Sequence, residues 1–438
     1  MESPTGYSYS SSHNGGESPS YSAPSPVRSA PRVSRSSESP ESSESPTHVA
    51  GSFGSTESPE SSENRVAPRF SPSSSLTNVS STPRGDRLSL AMEPQKGLEE
   101  YWRPIFKDSL VLERLHSNQR IIVEELICRG AEVMLIDSAT ELLQVSYKGR
   151  IDYVVDRFSS EVPFSMASVT ANKGIVKSIL KNRGIAVPDG RLFRAGATAA
   201  AMAYVAQTKG PMVVKPATGS HGDGVLANLV SIAEIREAVQ RSAHTDFIVE
   251  QYFPWDEYRV FATRQGGFAV VNRVPAYVEG AGNISIKDLV TNETNRRVRQ
   301  KSRIISPLCP IVIDADVITY LEKSGVRSGL GYVPHKGEKV QLRLQSNLAK
   351  GGVPIDVTDT VHATLSQLAT QVMDAFPGLP VVGFDVLSKD ITRPLGEDNY
   401  AVLEVNSSPG LVMHMAPSKG VPRNVAKMLV DAMFPWIR

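Results

Sequence analysis

The pattern of polar and apolar positions changes its period several times along residues 96–438, and each period predicts a type of element. The clearest alternation lies near the C-terminal end, at Tyr400–Asn406. Side chains on a strand point to opposite faces in turn, so this segment predicts a strand with one apolar and one partly polar face. The predicted faces consist of Val402, Glu404 and Asn406 on one side and Ala401, Leu403 and Val405 on the other.

The same reasoning predicts the elements upstream. Apolar residues at helical spacing, with cap residues before them, predict helices, and short apolar runs between turn residues predict strands. The predicted helices and their caps are 117–129 (Ser117 or Asn118), 171–183, a helix after the capping box at Ser231, and about 361–375 (Thr358 or Asp359). The predicted strands include 131–137, 150–156, 212–215, 247–250 and 379–387.

The segment 337–347 also alternates, and its polar face is unusually complete. A strand with an entirely polar face inside a domain lines a site or faces water. Gly351 and Gly352 follow, and glycines allow the backbone to turn close to a ligand. The predicted polar face carries Gln341, Arg343, Gln345 and Asn347, and the apolar face carries Val340, Leu342 and Leu344.

Composition divides the chain of 438 residues into two parts. Residues 1–95 contain no Lys, are rich in Ser and Pro, and repeat ESPESSE at 38–44 and 57–63. Such a segment cannot bury enough apolar surface to offset its ordering entropy, so it is predicted to be a disordered tail. The net charge of +1 is too small to indicate a nucleic-acid partner. No apolar run is long enough to span a membrane, and two distant cysteines suit a reducing, cytoplasmic location.

A glycine-rich loop lies between two predicted strands in residues 211–230. Glycine lacks a Cβ, so the backbone N–H groups of such a loop can approach phosphate oxygens, and Lys215 adds a cation. The loop is not a P-loop, since no Gly-Lys-Ser/Thr closes it. A dinucleotide fingerprint requires a helix at the glycines, whereas a strand follows Gly224 here. The pattern favours a hairpin flap that covers phosphates.

Two carboxylates are predicted to meet on neighbouring strands, Asp385 near the end of 379–387 and Glu404 on the strand described first. With the amide of Asn406 they supply oxygen ligands, which Mg²⁺ prefers in proteins. A solvated strand face is the alternative for this pattern by itself.

The order of these motifs over residues 97–438 resembles the ATP-grasp superfamily of carboxylate–amine ligases. The segments GEKVQLRLQSNLAKGGVPIDVTDTVH, VVGFDVL and VLEVNSSPGLVMHMAPSKG are similar to the ATP-grasp domain of cyanophycin synthetase and to the glutathione-synthetase half of the bifunctional glutathione biosynthetic enzyme. The resemblance implies an α+β or α/β protein with the ATP-grasp fold. The implied divisions are a small N-terminal α/β domain, a lid, and a C-terminal mixed-sheet subdomain with the metal site, at 96–165, 166–246 and 247–438.

The resemblance also implies a role for individual residues. The implied cofactor is ATP with two Mg²⁺ ions, which Mn²⁺ can replace. Arg259 and Arg273 are weaker candidates for binding a phosphate or the substrate carboxylate. The implied phosphate, flap and nucleoside residues are Lys173 and Lys215, then Gly219, Gly222 and Gly224, then Glu250, Gln251 and Phe253 at an adenine hinge, with Glu257 at the ribose. The implied residues at the transferring phosphoryl group are Arg343 and Asn347, and the implied metal ligands are Asp385, Glu404 and Asn406.

The implied reaction joins an amino acid to another amino acid or to a short peptide through an acyl phosphate. No nucleic-acid or membrane partner is expected, and the protein is expected to form a homo-oligomer. One departure concerns the substrate: the family has a Gly-Asp-Gly turn after the R-x-P-A motif, and this chain has Ala281 in place of the acidic residue. The alternative from another class is a regulatory or scaffold protein that binds ATP without turnover.

Overall fold

The computed structural model describes residues 115–219, 222–301 and 306–438. The predicted tail lies outside these residues. The first helix of the described residues is followed by three strands, β1, β2 and β3, that form an antiparallel meander. The sequence missed β2, because its polar residues interrupt the apolar run. The elements are α1 (Ser117–Cys128), β1 (Glu132–Asp137), β2 (Leu142–Tyr147) and β3 (Arg150–Val155). Neither Ser117 nor Asn118 caps α1, since His116 occupies the N-cap without a side-chain bond.

A four-stranded antiparallel sheet in the order β4-β7-β5-β6 carries the glycine loop. Two helices pack on it around Phe193, Val214 and Phe247, and the capping box of Ser231 with Glu234 is confirmed. The sheet reaches Gln251, past the boundary predicted at residue 246. Its elements are β4 (Gly190–Phe193), α4 (Thr198–Val205), β5 (Met212–Pro216), β6 (Leu226–Leu229), α5 (Ile232–Ser242) and β7 (Phe247–Gln251), and it is preceded by α2 (Phe164–Thr170) and α3 (Lys173–Asn182).

A five-stranded sheet in the order β12-β9-β8-β13-β14 forms the centre of the described structure. The pairs among these five strands are antiparallel, and an isolated parallel bridge joins Ile355 of β12 to Lys419. Short connections such as the one between β8 and β9 allow only antiparallel pairing. The strands are β8 (Asp256–Thr263), β9 (Phe268–Val274), β12 (Val353–Asp356), β13 (Val381–Ser388) and β14 (Tyr400–Asn406).

The remaining elements cover this sheet or extend it. One face packs on α3 and α8, and the other packs on α1, α9 and α10 around Phe261. A two-stranded antiparallel sheet of β10 and β11 packs on α6 and α7. These elements are β10 (Tyr277–Glu279), α6 (Ile286–Lys301), α7 (Ala315–Lys323), β11 (Lys339–Gln341), α8 (Thr364–Ala375), α9 (Val412–Met415) and α10 (Val425–Met433), with 3-10 turns at Gly329–Gly331 and Leu348–Lys350.

Two predictions about this part of the chain are wrong. The strand predicted over 337–347 is only three residues long, because Arg343 turns inwards to Asp314 and ends the ladder. Neither Thr358 nor Asp359 caps α8: Ala363 is its N-cap, and the Thr358 hydroxyl instead bonds the backbone of Val270. None of the described helices is long and apolar enough to cross a membrane.

Candidate active site

One face of the five-stranded sheet is apolar at one end and charged at the other. On β8 the side chain of Phe261 lies in the core, and Arg259 and Glu257 follow at period two on the same face. Their neighbours on that face are Arg273 of β9 and Asp385 of β13, placed there by the strand register. The sheet therefore gathers charges that are far apart in sequence into one patch beside the core.

The predicted meeting of Asp385 and Glu404 is confirmed, since the two residues are directly opposite in the β13–β14 ladder. The register shifts by one residue just beyond this pair, where Val386 pairs with Val402. This β-bulge puts Val402 in the core with Val405, so the predicted face shared by Val402, Glu404 and Asn406 is wrong for Val402. Glu404 and Asn406 do lie together, with Asn406 Nδ2 donating to Glu404 Oε1 at 3.2 Å.

Two arginines hold Asp385 in its ionised form. Arg259 pairs with both carboxylate oxygens of Asp385, and its Nη2 lies 3.1 Å from Oδ2. Arg273 Nη2 also lies 3.1 Å from Oδ2. Burial alone would raise the pKa of Asp385, but the two guanidinium groups lower it well below its usual range.

Glu404 has the opposite electrostatic environment. Burial and the negative charge of Asp385 raise its pKa, and they outweigh the nearby cations of Arg259 and Lys173. Two opposed carboxylates with an adjacent amide are a donor set that fits Mg²⁺, whose charge would remove the repulsion between them. The described residues contain no group of three or more His, Cys, Asp or Glu side chains placed to hold a metal, so this set depends on the oxygen of Asn406 and on non-protein ligands.

The two predicted lysines have different partners. Lys173 is the first residue of α3, and its Nζ lies 3.7 Å from Glu404 Oε2 and 2.5 Å from the backbone oxygen of Gly219. The lysine thus joins the carboxylate pair to the glycine loop. Lys215, on β5, instead lies 2.6 Å from Glu250 Oε1.

Glu250 is buried between two lysines, which the sequence did not reveal. Its carboxylate pairs with Lys215 and with Lys177 of α3, and its exposure is only 2%. Burial alone would raise the pKa of Glu250, but the two lysines lower it. The Glu250 side chain therefore orients the ammonium groups of Lys177 and Lys215. Gln251 and Phe253, the other residues of the predicted adenine hinge, follow it in the chain. The Phe253 ring stacks on Trp255 at 4.2 Å.

The glycine loop reaches towards the segment that follows β11. Gly219, Gly222 and Gly224 all have positive φ, and Ser220 and His221 between them lie outside the described residues. Gln345 Nε2 donates to the backbone oxygen of Val225 at 3.3 Å. The Asn347 amide lies 3.7 Å from the point where a Cβ on Gly222 would be. The loop and residues 345–347 thus adjoin each other, as a flap over a site requires.

The other predicted catalytic and ribose residues have protein partners. Arg343 is fully buried, and its Nη2 lies 2.8 Å from the Val312 oxygen and 3.3 Å from Asp314 Oδ1. Asn347 Oδ1 accepts from the N–H of Ala349 at 2.9 Å. Glu257 pairs with Arg273 and with the hydroxyl of Ser346. The sequence did not assign a role to Ser346, Asp314 or Lys177, because each acts through a partner that is distant in sequence, namely Glu257, Arg343 and Glu250.

The described chain has the ATP-grasp fold, and its sequence is similar to cyanophycin synthetases and to bifunctional glutathione biosynthesis proteins. The chain is 33% identical to cyanophycin synthetase of Geminocystis herdmanii over 346 residues, 77% of this chain and 39% of the relative. It is 27% identical to the glutathione biosynthesis bifunctional protein of Pasteurella multocida over 333 residues, 74% of this chain and 43% of the relative. No protein-family model matches the chain.

A solved structure supports the same assignment. The crystal structure of a bifunctional glutathione synthetase from Pasteurella multocida matches 75% of this chain and 45% of that chain, with a TM-score of 0.55 and 26% identity. The predicted resemblance and the ATP-grasp fold are thus confirmed. The chain spans about two fifths of the length of the curated relatives named above.

Proposed function

We propose that the chain is an ATP- and Mg²⁺-dependent ligase that joins the carboxylate of one amino acid or short peptide to the amine of another. The carboxylate pair of Asp385 and Glu404, linked through Lys173 to the glycine loop, is the observation that carries the proposal. The substrate carboxylate attacks the γ-phosphorus of ATP and ADP leaves. The amine then attacks the acyl phosphate, phosphate leaves, and the amine loses a proton to form a neutral amide.

Most of the catalysis is positioning and charge stabilisation. Lys173 and Lys215 bind phosphate oxygens, and Arg273 and Asn347 face the transferring group. Arg343 is a positioning residue in this scheme, because its guanidinium is buried against Asp314. Asp385, Glu404 and Asn406 would hold two Mg²⁺ ions, or Mn²⁺, whose charge would offset that of the phosphates.

The remaining residues bind the nucleoside and exclude water. Gln251 and Phe253 contact adenine, and Glu257 lies at the ribose end of the patch. The acyl phosphate needs protection from hydrolysis, which closure of the loop around Gly222 supplies. We also propose that the protein is cytoplasmic and forms a homo-oligomer.

An assay with the full chain tests the function directly. The chain is incubated with Mg-ATP and a panel of amino-acid and dipeptide pairs, and release of ADP and phosphate is measured together with the mass of the product. We expect release that depends on both substrates, with a product mass equal to their sum less one water. ATP binding without release for any pair would instead favour a regulatory ATP-binding protein.

Glu404→Gln tests the metal site. The neutral amide keeps the shape but removes a charge that Mg²⁺ requires, so we expect turnover to fall at least about 100-fold with unchanged thermal stability. Glu397→Gln, at an exposed position outside the patch, is the matched control and keeps full turnover. Turnover of Glu404→Gln within a few-fold of the natural chain would remove Glu404 from the site.

A further inference from the structure

The three-stranded sheet at the start of the described chain has one buried and one exposed face, and the exposed face is apolar. The inner face, with Leu143, Val145 and Val154, packs into the core against α1. The outer face carries five large apolar side chains that are 41–55% exposed, namely Met134, Ile136, Ile151, Tyr153 and Val155. Several large apolar side chains exposed together on one sheet face mark an interaction surface.

The strand register arranges these side chains in rows. Gln144 of the central strand lies between Met134 and Tyr153, and Leu142 lies beside Val155. The polar atoms of the middle row bond within the face, since Tyr153 Oη and Gln144 Oε1 are 3.4 Å apart. Apolar side chains on both edge strands therefore flank a narrow polar centre, a shape that fits an elongated apolar segment.

The chain enters the described structure at one end of this face. The backbone N–H of His116 donates to Glu141 Oε1 at 2.9 Å, and Gln119 Nε2 donates to the Glu141 oxygen at 2.6 Å. Glu141 directly precedes β2, so the described chain begins close to the row that holds Leu142 and Val155. The sheet is about 10 Å wide and 20 Å long, and the 14 residues 101–114 extend up to about 45–50 Å.

The residues before Leu115 differ from the Ser/Pro-rich tail. Residues 101–112 read YWRPIFKDSLVL and hold seven of twelve large apolar or aromatic side chains, while residues 1–95 are dominated by Ser and Pro. We propose that residues 101–112 dock on the outer face of the β1–β2–β3 sheet, with Trp102, Ile105 and Phe106 covering Met134, Ile151 and Tyr153. The docked segment anchors the tail to the folded part and closes the apolar face.

Limited trypsin digestion of the full chain, followed by mass spectrometry, tests the docking. The sequence supplies Lys107 inside the segment and Arg87 in the tail as an internal reference. Cleavage follows the population of the open state, so we expect cleavage after Lys107 to be at least about tenfold slower than after Arg87. Ile151→Glu with Tyr153→Glu on the sheet, or Trp102→Asp with Phe106→Glu on the segment, should remove this difference.

Two controls distinguish docking from a general effect of added charge and from loss of the fold. Ile318→Glu adds one carboxylate at a 46% exposed site on α7 and should leave the Lys107 rate unchanged. The segment variant changes no residue of the described core, so it tests docking even if the sheet variant fails to fold. Equal rates at Lys107 and Arg87 in the natural chain would refute the proposal. A dimer that light scattering detects, and that Ile151→Glu dissociates without changing the Lys107 rate, would assign the face to a second copy.

Discussion

At the scale of single residues, Glu250 and His414 are both buried, but only Glu250 has partners of opposite charge. Glu250 is matched by two lysines, so its removal leaves two cations without a counter-charge. His414 is fully buried, and neither of its ring nitrogens has a hydrogen-bond partner among the described residues. Burial lowers the pKa of His414 to about 3, with Arg259 contributing in the same direction. A neutral imidazole in this position is a core residue beside the Phe261 ring, and it is not a general base.

Glu250→Gln is expected to destabilise the chain by about 3–5 kcal/mol, because a buried charge without its partner is costly. Urea unfolding followed by circular dichroism measures this loss. The double variant with Lys177→Met should recover part of it, since one uncompensated cation is removed. Glu237→Gln, on an exposed helix position, should cost less than about 0.5 kcal/mol. A loss below about 1 kcal/mol for Glu250→Gln would contradict the buried triad.

His414→Phe is expected to reduce the acid sensitivity of the fold. The folded pKa of about 3 lies below the unfolded value of 6.5, so the unfolded state binds the proton first. The contribution of the neutral imidazole to the free energy of unfolding is fully present above pH 6.5 and is lost as the pH falls towards 3. Between pH 7 and pH 5 this loss is about 2 kcal/mol, which the variant should lack in urea titrations at both pH values. His244→Phe, at an exposed position, should keep the natural pH dependence.

At the scale of elements, an interruption of regular structure positions each part of the site. The bulge on β14 brings Glu404 and Asn406 to the charged face, and the early end of β11 lets residues 343–347 approach the glycine loop. Gly352 makes the second feature possible: a Cβ there would lie 2.5 Å from the Ser346 oxygen and 3.0 Å from the Asn347 oxygen. Backbone atoms cannot move aside as a flexible side chain does.

Gly352→Ala is therefore expected to destabilise the chain by about 2–4 kcal/mol and to weaken ATP binding. Thermal unfolding and equilibrium ATP titration measure the two effects. Gly396→Ala is the control, because a Cβ at Gly396 meets no atom within 4 Å. Equal melting temperatures for the two variants would show that the turn after Asn347 tolerates a side chain.

At the scale of the whole molecule, the beginning and the end of the described chain are joined. Arg129, after α1, lies 2.7 Å from Asp431 of α10 and donates to the backbone oxygens of Lys427 and Ile437. Both helices pack on the same side of the five-stranded sheet that carries the charged patch. The N-terminal elements thus support the sheet face from which the site is built.

Arg129→Gln is expected to cost about 2 kcal/mol, because several hydrogen bonds of a largely buried guanidinium are lost together. Chemical unfolding of the full chain measures the change. Arg194→Gln removes an ion pair whose arginine is 84% exposed, and it should cost less than about 1 kcal/mol. Similar losses for both variants would show that the contact between α1 and α10 adds no more than a surface pair.

The sequence alone determined the ATP-grasp resemblance, most element positions and the pairing of Asp385 with Glu404, because local periodicity and short motifs reside in neighbouring residues. It could not determine that β2 exists, that Val402 is buried, or that Arg343 turns inwards to Asp314. These features depend on strand register, on a bulge and on contacts between distant segments. Only the tertiary structure decided them. The same holds for Glu250, which pairs with Lys177 and Lys215, because these three residues lie on separate elements and have no pattern in common along the sequence.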